Sequence, residues 1–144
     1  MIEKDTVRLL RECDAGVKMG ISSIEDVAEY AAHPALRELL AQGRKDHQTL
    51  DRDLQKELDR FQDEGKDPAL MAKGMSWLKT NVKLAVDLSD ATIADLMTDG
   101  CNMGVKSLNK YLNQYKAADE VSKDIAKRLI HLEEQLAIDV RGYL

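Results

Sequence analysis

Two blocks of this chain carry glycine where helix interiors are expected: Gly16-Val17-Lys18-Met19-Gly20-Ile21-Ser22-Ser23-Ile24 and Gly100-Cys101-Asn102-Met103-Gly104-Val105-Lys106-Ser107-Leu108. They lie 84 residues apart (16 to 100, 20 to 104), and the same offset overlays Arg44-x-x-His47 on Arg128-x-x-His131. Two separated stretches thus share one register, as expected for a bundle of two similar helix pairs. A mid-helix Gly is less favourable than Ala by ~1 kcal/mol, so four of them forgo roughly 4 kcal/mol of helix stability. Something in the tertiary structure must offset that loss. Gly-x-x-x-Gly puts two missing side chains one turn apart on one face. The expectation is close helix contact, within the chain or across a dimer interface, through Gly16, Met19, Gly20, Gly100, Met103 and Gly104. The alternative is that the glycines leave room in the bundle for a ligand or metal, flanked by Met19 and Met103.

Apolar spacing divides the chain into helices. Val7, Leu10, Val17, Ile21, Ile24 and Ala28 recur every three or four residues and predict a first helix over about 3 to 32. His33-Pro34 breaks it, because Pro restricts the preceding residue and suits the first turn of the next helix. Leu36, Leu39, Leu40, His47, Leu50, Leu54, Leu58 and Phe61 mark a second helix ending near Glu64-Gly65, a stop signal. Asp67-Pro68 opens a shorter helix over 68–86 carrying Met71, Met75 and Trp77, placed between the repeats as a crossover. Ser89 or Asp90 caps the next helix, with Ile93, Met97, Cys101, Gly104, Leu108, Tyr111 and Tyr115 on one face. Asp119 begins the last, with Ile125, Leu129, Leu132, Leu136 and Val140 inward. Nothing alternates with a period of two, so β structure has no support. The fold expected is all-α: one domain over 1–144, a four-helix bundle of two hairpins (3–64 and 90–143) with an extra crossover helix. One long crossover in an up-down bundle is the ferritin-like arrangement.

Charge and composition narrow the partners. Lys and Arg total 21 against 26 Asp and Glu, a net charge of −5 with both signs interleaved. A phosphate-binding surface needs a basic stripe, and no segment offers one, so nucleic acid is not an expected partner. The start lacks a basic cluster followed by an apolar run, and no stretch approaches the roughly 20 apolar residues of a membrane span. A soluble cytoplasmic protein is expected. Cys13 and Cys101 have no CxxC spacing and sit within helices, where neither a base nor a helix N-terminus lowers a thiol pKa.

Gly100-Cys101-x-x-Gly104-x-x-x-Leu108 resembles the Gly-Glu-x-x-Ala-x-x-x-Tyr pattern in helices of rubrerythrin-type and related bacterial ferritin-like proteins. That resemblance implies a bundle whose di-iron centre would take one Glu from each of two helices and a Glu-x-x-His pair from each of the others. This chain departs from the pattern. Val17 and Cys101 stand at the lone-Glu positions, and Tyr30, Arg44 and Arg128 precede His33, His47 and His131 where Glu would be needed. Of the carboxylates, Glu134 alone resembles a survivor, and the di-iron site reads as lost. A mononuclear alternative remains, with His47, Cys101, His131 and Glu134 as ligands for iron or zinc. The expectation is no cofactor.

The functional expectation is a non-enzymatic ferritin-like bundle acting by oligomerisation, as a homo-oligomer and specifically a dimer, or by binding another protein. The alternatives are a metal-binding redox or storage protein using that Cys/His/Glu set, and a small-molecule carrier using space left by the glycines.

Overall fold

The computed structural model describes residues 2–63 and 88–144. Its helices are α1 (Ile2–Ala28), α2 (Pro34–Arg60), α3 (Asp90–Gln114) and α4 (Glu120–Val140), and a 3-10 turn over Arg141–Tyr143 follows the last. No strand occurs among the described residues. The expected crossover helix at 68–86, with its Met and Trp residues, lies outside them.

Caps set the helix starts. His33 Nδ1 accepts from the Ala35 N–H at 3.1 Å, with Pro34 in the first helical position. The Ser89 hydroxyl accepts from the Thr92 N–H at 3.2 Å, and Asp119 accepts from Ser122 at 2.8 Å. Each bond satisfies an amide that the helix cannot. Asp90, the other cap candidate, does something else. Its carboxylate accepts from the Ala32 and His33 amides at 2.8 and 3.1 Å, pinning the α1–α2 turn to the start of α3. Helix α1 accordingly stops at Ala28, before the expected residue 32.

Helix α2 also stops early. The Gln62 amide donates to Asp59 O at 3.0 Å and the Asp63 amide to Leu58 O at 2.9 Å, a Schellman arrangement that places Gln62 in the left-handed region at φ 56°. Arg11 holds the exit through Nε and Nη2 bonds to Asp63, the shortest 2.8 Å. Glycine has no Cβ to strain there, so Gln62→Gly is expected to raise unfolding free energy by up to ~1 kcal/mol. Urea denaturation checks this. An unchanged or lower midpoint would mean the turn relaxes without glycine.

Contacts between ends give the topology. Asp90 meets the C-terminal end of α1, while the amides of Ala117 and Asp119 bond to Asp5 and Thr6 near its N-terminal end. With α1 up, α2 and α3 run down and α4 runs up. Consecutive hairpins are α1–α2 and α3–α4, and the chain leaves α2 at the end opposite to where α3 begins. A four-helix bundle with one long crossover is therefore the observed fold, as expected.

The duplication holds in part. Leu9, Leu10, Cys13, Val17 and Ile24 of α1 recur at the same 84-residue spacing as Ile93, Ala94, Met97, Cys101 and Leu108 of α3, and all ten are buried. The second helices follow another spacing. Pro34 and Glu120 begin them 86 residues apart (34 to 120), because α3 ends at Gln114, 86 residues after the end of α1 at Ala28. Leu36, Leu40, His47, Leu50 and Leu54 match buried Ser122, Ala126, Glu133, Leu136 and Val140. At an offset of 84 they would fall on Glu120, Asp124, His131, Glu134 and Ile138, all exposed. Two residues rotate a helix face by about 200°, so the doubled Arg-x-x-His is a match in sequence between opposite faces.

Packing follows these stripes in two apolar clusters. One gathers Leu9, Val17, Leu50, Leu54, Leu108 and Leu129 with their neighbours, and the other Ile24, Leu36, Leu40, Ile93, Met97, Leu136 and Val140 with theirs. Between them lies a layer containing Gly20, His47 and Glu133.

Candidate functional site

His47 occupies a core position of α2 and is 1 % exposed. Its Nδ1 donates to Gly43 O one turn earlier at 2.7 Å, and Nε2 lies 3.1 Å from Glu133 Oε1 on α4. Both ring nitrogens thus face acceptors, an environment matched by the doubly protonated imidazolium. The ring fits because α1 presents a glycine: a Cβ on Gly20 would lie 2.7 Å from His47 Cδ2, 2.8 Å from Nε2 and 3.2 Å from Glu133 Oε1.

Burial works against charge on His47, but the bond to Glu133 and its charge, with help from Gly43 O and Asp46, outweigh it and raise the pKa above 6.5. The Cys101 thiol is pushed far above its ordinary range, first by burial and then by the charge of Glu133, to whose carboxylate it donates. Cys13 is pushed up to about 12 by burial, with Glu12 and Asp14 adding to it. Both thiols are therefore protonated and poor nucleophiles near neutrality. Among the described residues, no buried side-chain nitrogen or oxygen lacks a hydrogen-bond partner.

The sign of the pH response follows from the raised His47 pKa. The folded state binds this proton more tightly than the unfolded chain does, so the stabilisation is fully present below the unfolded value of about 6.5 and fades as pH rises through the folded value. Melting temperatures of the wild-type protein and His47→Gln should converge between pH 5.5 and 8. A constant difference across that window would mean His47 does not change charge there.

Beside this layer, between α1 and α3, lies a cavity of about 210 Å³. Gly16, Met19 and Gly20 line it from α1, and Met97, Gly100, Cys101, Met103 and Gly104 from α3. His47 and Glu133 contribute from α2 and α4. Toward the end where α3 finishes, it is bounded by Tyr111 and Glu12, whose side chains are hydrogen-bonded to each other.

The four glycines have different surroundings. A Cβ on Gly16 would meet Leu129 at 3.2 Å, and Gly20 accommodates His47. The α1 pair thus admits side chains from α4 and α2. On α3, a Cβ on Gly104 would make an ordinary 3.7 Å contact with Glu133, and one on Gly100 would meet nothing within 4 Å. The α3 pair borders open space. Met19 is partly buried, whereas Met103 is 48 % exposed.

The four residues of the metal alternative are not brought together. His47 and Cys101 face the interior, whereas His131 and Glu134 lie on the exposed side of α4. The interior carboxylate is Glu133, which sequence spacing passed over for its neighbour. Among the described residues, no group of three or more His, Cys, Asp or Glu side chains could hold a metal ion. Glu133 had one signal in the sequence: Leu129, Leu136 and Val140 place position 133 on their own stripe. Leu132, an apolar and half-buried neighbour, disguised it.

No protein-family model matches the sequence, and no curated protein matches it either. In three dimensions the chain is similar to the crystal structure of a DUF305 fragment from Deinococcus radiodurans, with a TM-score of 0.75 and 12% identity over 96% of this chain and 93% of that one. At that identity the likeness concerns the fold alone. No described helix is long and apolar enough to cross a membrane.

Proposed function

We propose that this chain is a non-enzymatic bundle of ferritin-like ancestry that acts by binding, taking a small and mainly apolar molecule into the cavity between α1 and α3. One observation carries the reading. Gly100 and Gly104 forgo roughly 2 kcal/mol of helix stability relative to alanine, yet a Cβ on Gly100 would meet nothing within 4 Å and one on Gly104 would make only ordinary contact with Glu133 at 3.7 Å. Space, and not close packing, is what those glycines provide.

The surrounding chemistry supports binding over catalysis. Cys101 is held protonated and both nitrogens of His47 are engaged, so neither the thiol nor the imidazole is poised to act as nucleophile or base toward the cavity. The outward placement of His131 and Glu134 counts against the iron or zinc alternative. The half-exposed Met103, beside the open glycines, favours a second reading, in which the guest is an apolar side chain of a second copy. Light scattering across protein concentration separates the two.

Calorimetric titration with ethylbenzene tests the first reading directly. The wild-type protein should bind it saturably, and Gly100→Leu, which fills the open space, should lose binding while retaining its helical circular dichroism. Absence of wild-type binding, or equal binding by the filled variant, would sink the proposal.

A further inference from the structure

Resting on the binding reading above, we infer that the cavity selects a small amphiphilic ammonium ion, with its apolar body between the glycine faces and its N–H donors directed at Glu133. Around the cavity, donors are used up while acceptors are not. His47 Nδ1 donates to Gly43 O and Nε2 to Glu133. The Cys101 thiol also serves Glu133, and the Tyr111 hydroxyl is bonded to Glu12. The strong side-chain donors around the cavity are thus already committed, apart from the hydroxyls of Ser23 and Ser107.

Acceptor capacity remains. A carboxylate offers about four lone-pair sites, and Glu133 receives His47 and Cys101 while still lining the cavity. Charge has the same sign. Two carboxylates, Glu12 and Glu133, border the space against one imidazolium, and no lysine or arginine lines it among the described residues. Lys18, the basic residue next to the glycine block, is held by Asp14 at 2.9 Å. An anionic head would find two carboxylates and few donors. A neutral guest would gain only apolar contact. An ammonium gains charge-assisted hydrogen bonds, and the Tyr111 ring adds a face of the right polarity.

Room is sufficient: the cavity is several times the roughly 30 Å³ that one water occupies in the liquid. Apolar walls also strengthen the attraction by lowering the local dielectric.

Three probes of similar size test the inference by calorimetry at pH 7 on the full chain: 2-phenylethylammonium, ethylbenzene and 3-phenylpropionate. The expected order is the ammonium at least tenfold tighter than ethylbenzene, with the carboxylate weakest. Glu133→Gln should bring the ammonium close to ethylbenzene, both measured on that same variant, and saturable ethylbenzene binding there shows that the cavity survives the substitution. Should that variant not fold, Glu12→Gln, at a half-buried position, removes one carboxylate and should cut ammonium affinity several-fold. Ethylbenzene binding as tightly as the ammonium would overturn the charge selection but keep the cavity reading. A preference for the carboxylate would do the same. Failure of all three probes to bind would overturn both.

Discussion

Glu133→Leu is expected to lower the unfolding free energy by about 3–5 kcal/mol near pH 6, the range for removing one partner of a buried ion pair. Three features place it there. His47 is 1 % exposed and Glu133 7 %, so water does little to replace the lost partner. The ring keeps Gly43 O at 2.7 Å, but its second N–H is left facing a leucine. Cys101 loses its acceptor as well. The loss should shrink toward pH 8, because an unpaired buried imidazole sheds its proton instead of remaining charged. The double variant His47→Leu/Glu133→Leu should recover most of the stability, since an apolar pair of similar volume needs no desolvation of charge. Urea denaturation of the two variants at both pH values gives the comparison. A single variant within about 0.5 kcal/mol of wild type at pH 6 would contradict the pair's structural weight.

How much of this was legible in the sequence depends on which residues carried the signal. Apolar spacing and the caps at His33-Pro34, Ser89 and Asp119 were enough for the four described helices and their order, because each cap acts on amides two or three residues away. The ends were less legible. Helix α1 stops where it does because Asp90, 58 residues beyond Ala32, takes the turn's amides, and no local pattern reports such a bond. The stop of α2 at a left-handed Gln62 is invisible to a rule that looks for glycine. Register was the costliest ambiguity. A single offset fits α1 and α3, but in that register α3 ends two residues later than α1, which shifts α4 by two residues and turns His131 and Glu134 outward. The interior pair was therefore half legible: His47 was on the right stripe, while Glu133 was hidden between Leu132 and Glu134. The glycines were legible as a feature but not in their division of labour, which depends on what α2 and α4 present to them.

That division makes opposite predictions for chemically similar substitutions. Gly20→Leu should destabilise by more than about 3 kcal/mol, because its first added carbon already falls 2.7 Å from the His47 ring and the rest of the side chain must displace a ring fixed on both sides. Any gain in helix propensity, at most ~1 kcal/mol, is too small to offset this. Gly100→Ala meets nothing within 4 Å and should instead stabilise the protein by up to ~1 kcal/mol. Gly104→Ala, with ordinary contact to Glu133 at 3.7 Å, should fall close to it. If the His47 ring is the obstacle, His47→Ala in the Gly20→Leu background should restore at least ~1 kcal/mol relative to additivity, since residues in contact couple by 0.5–3 kcal/mol. Thermal and urea melts of these four variants, of His47→Ala alone and of wild type decide the matter. Equal losses at positions 20 and 100 would point to a helix-wide requirement for glycine, and an additive double variant would remove the His47 ring as the reason for Gly20.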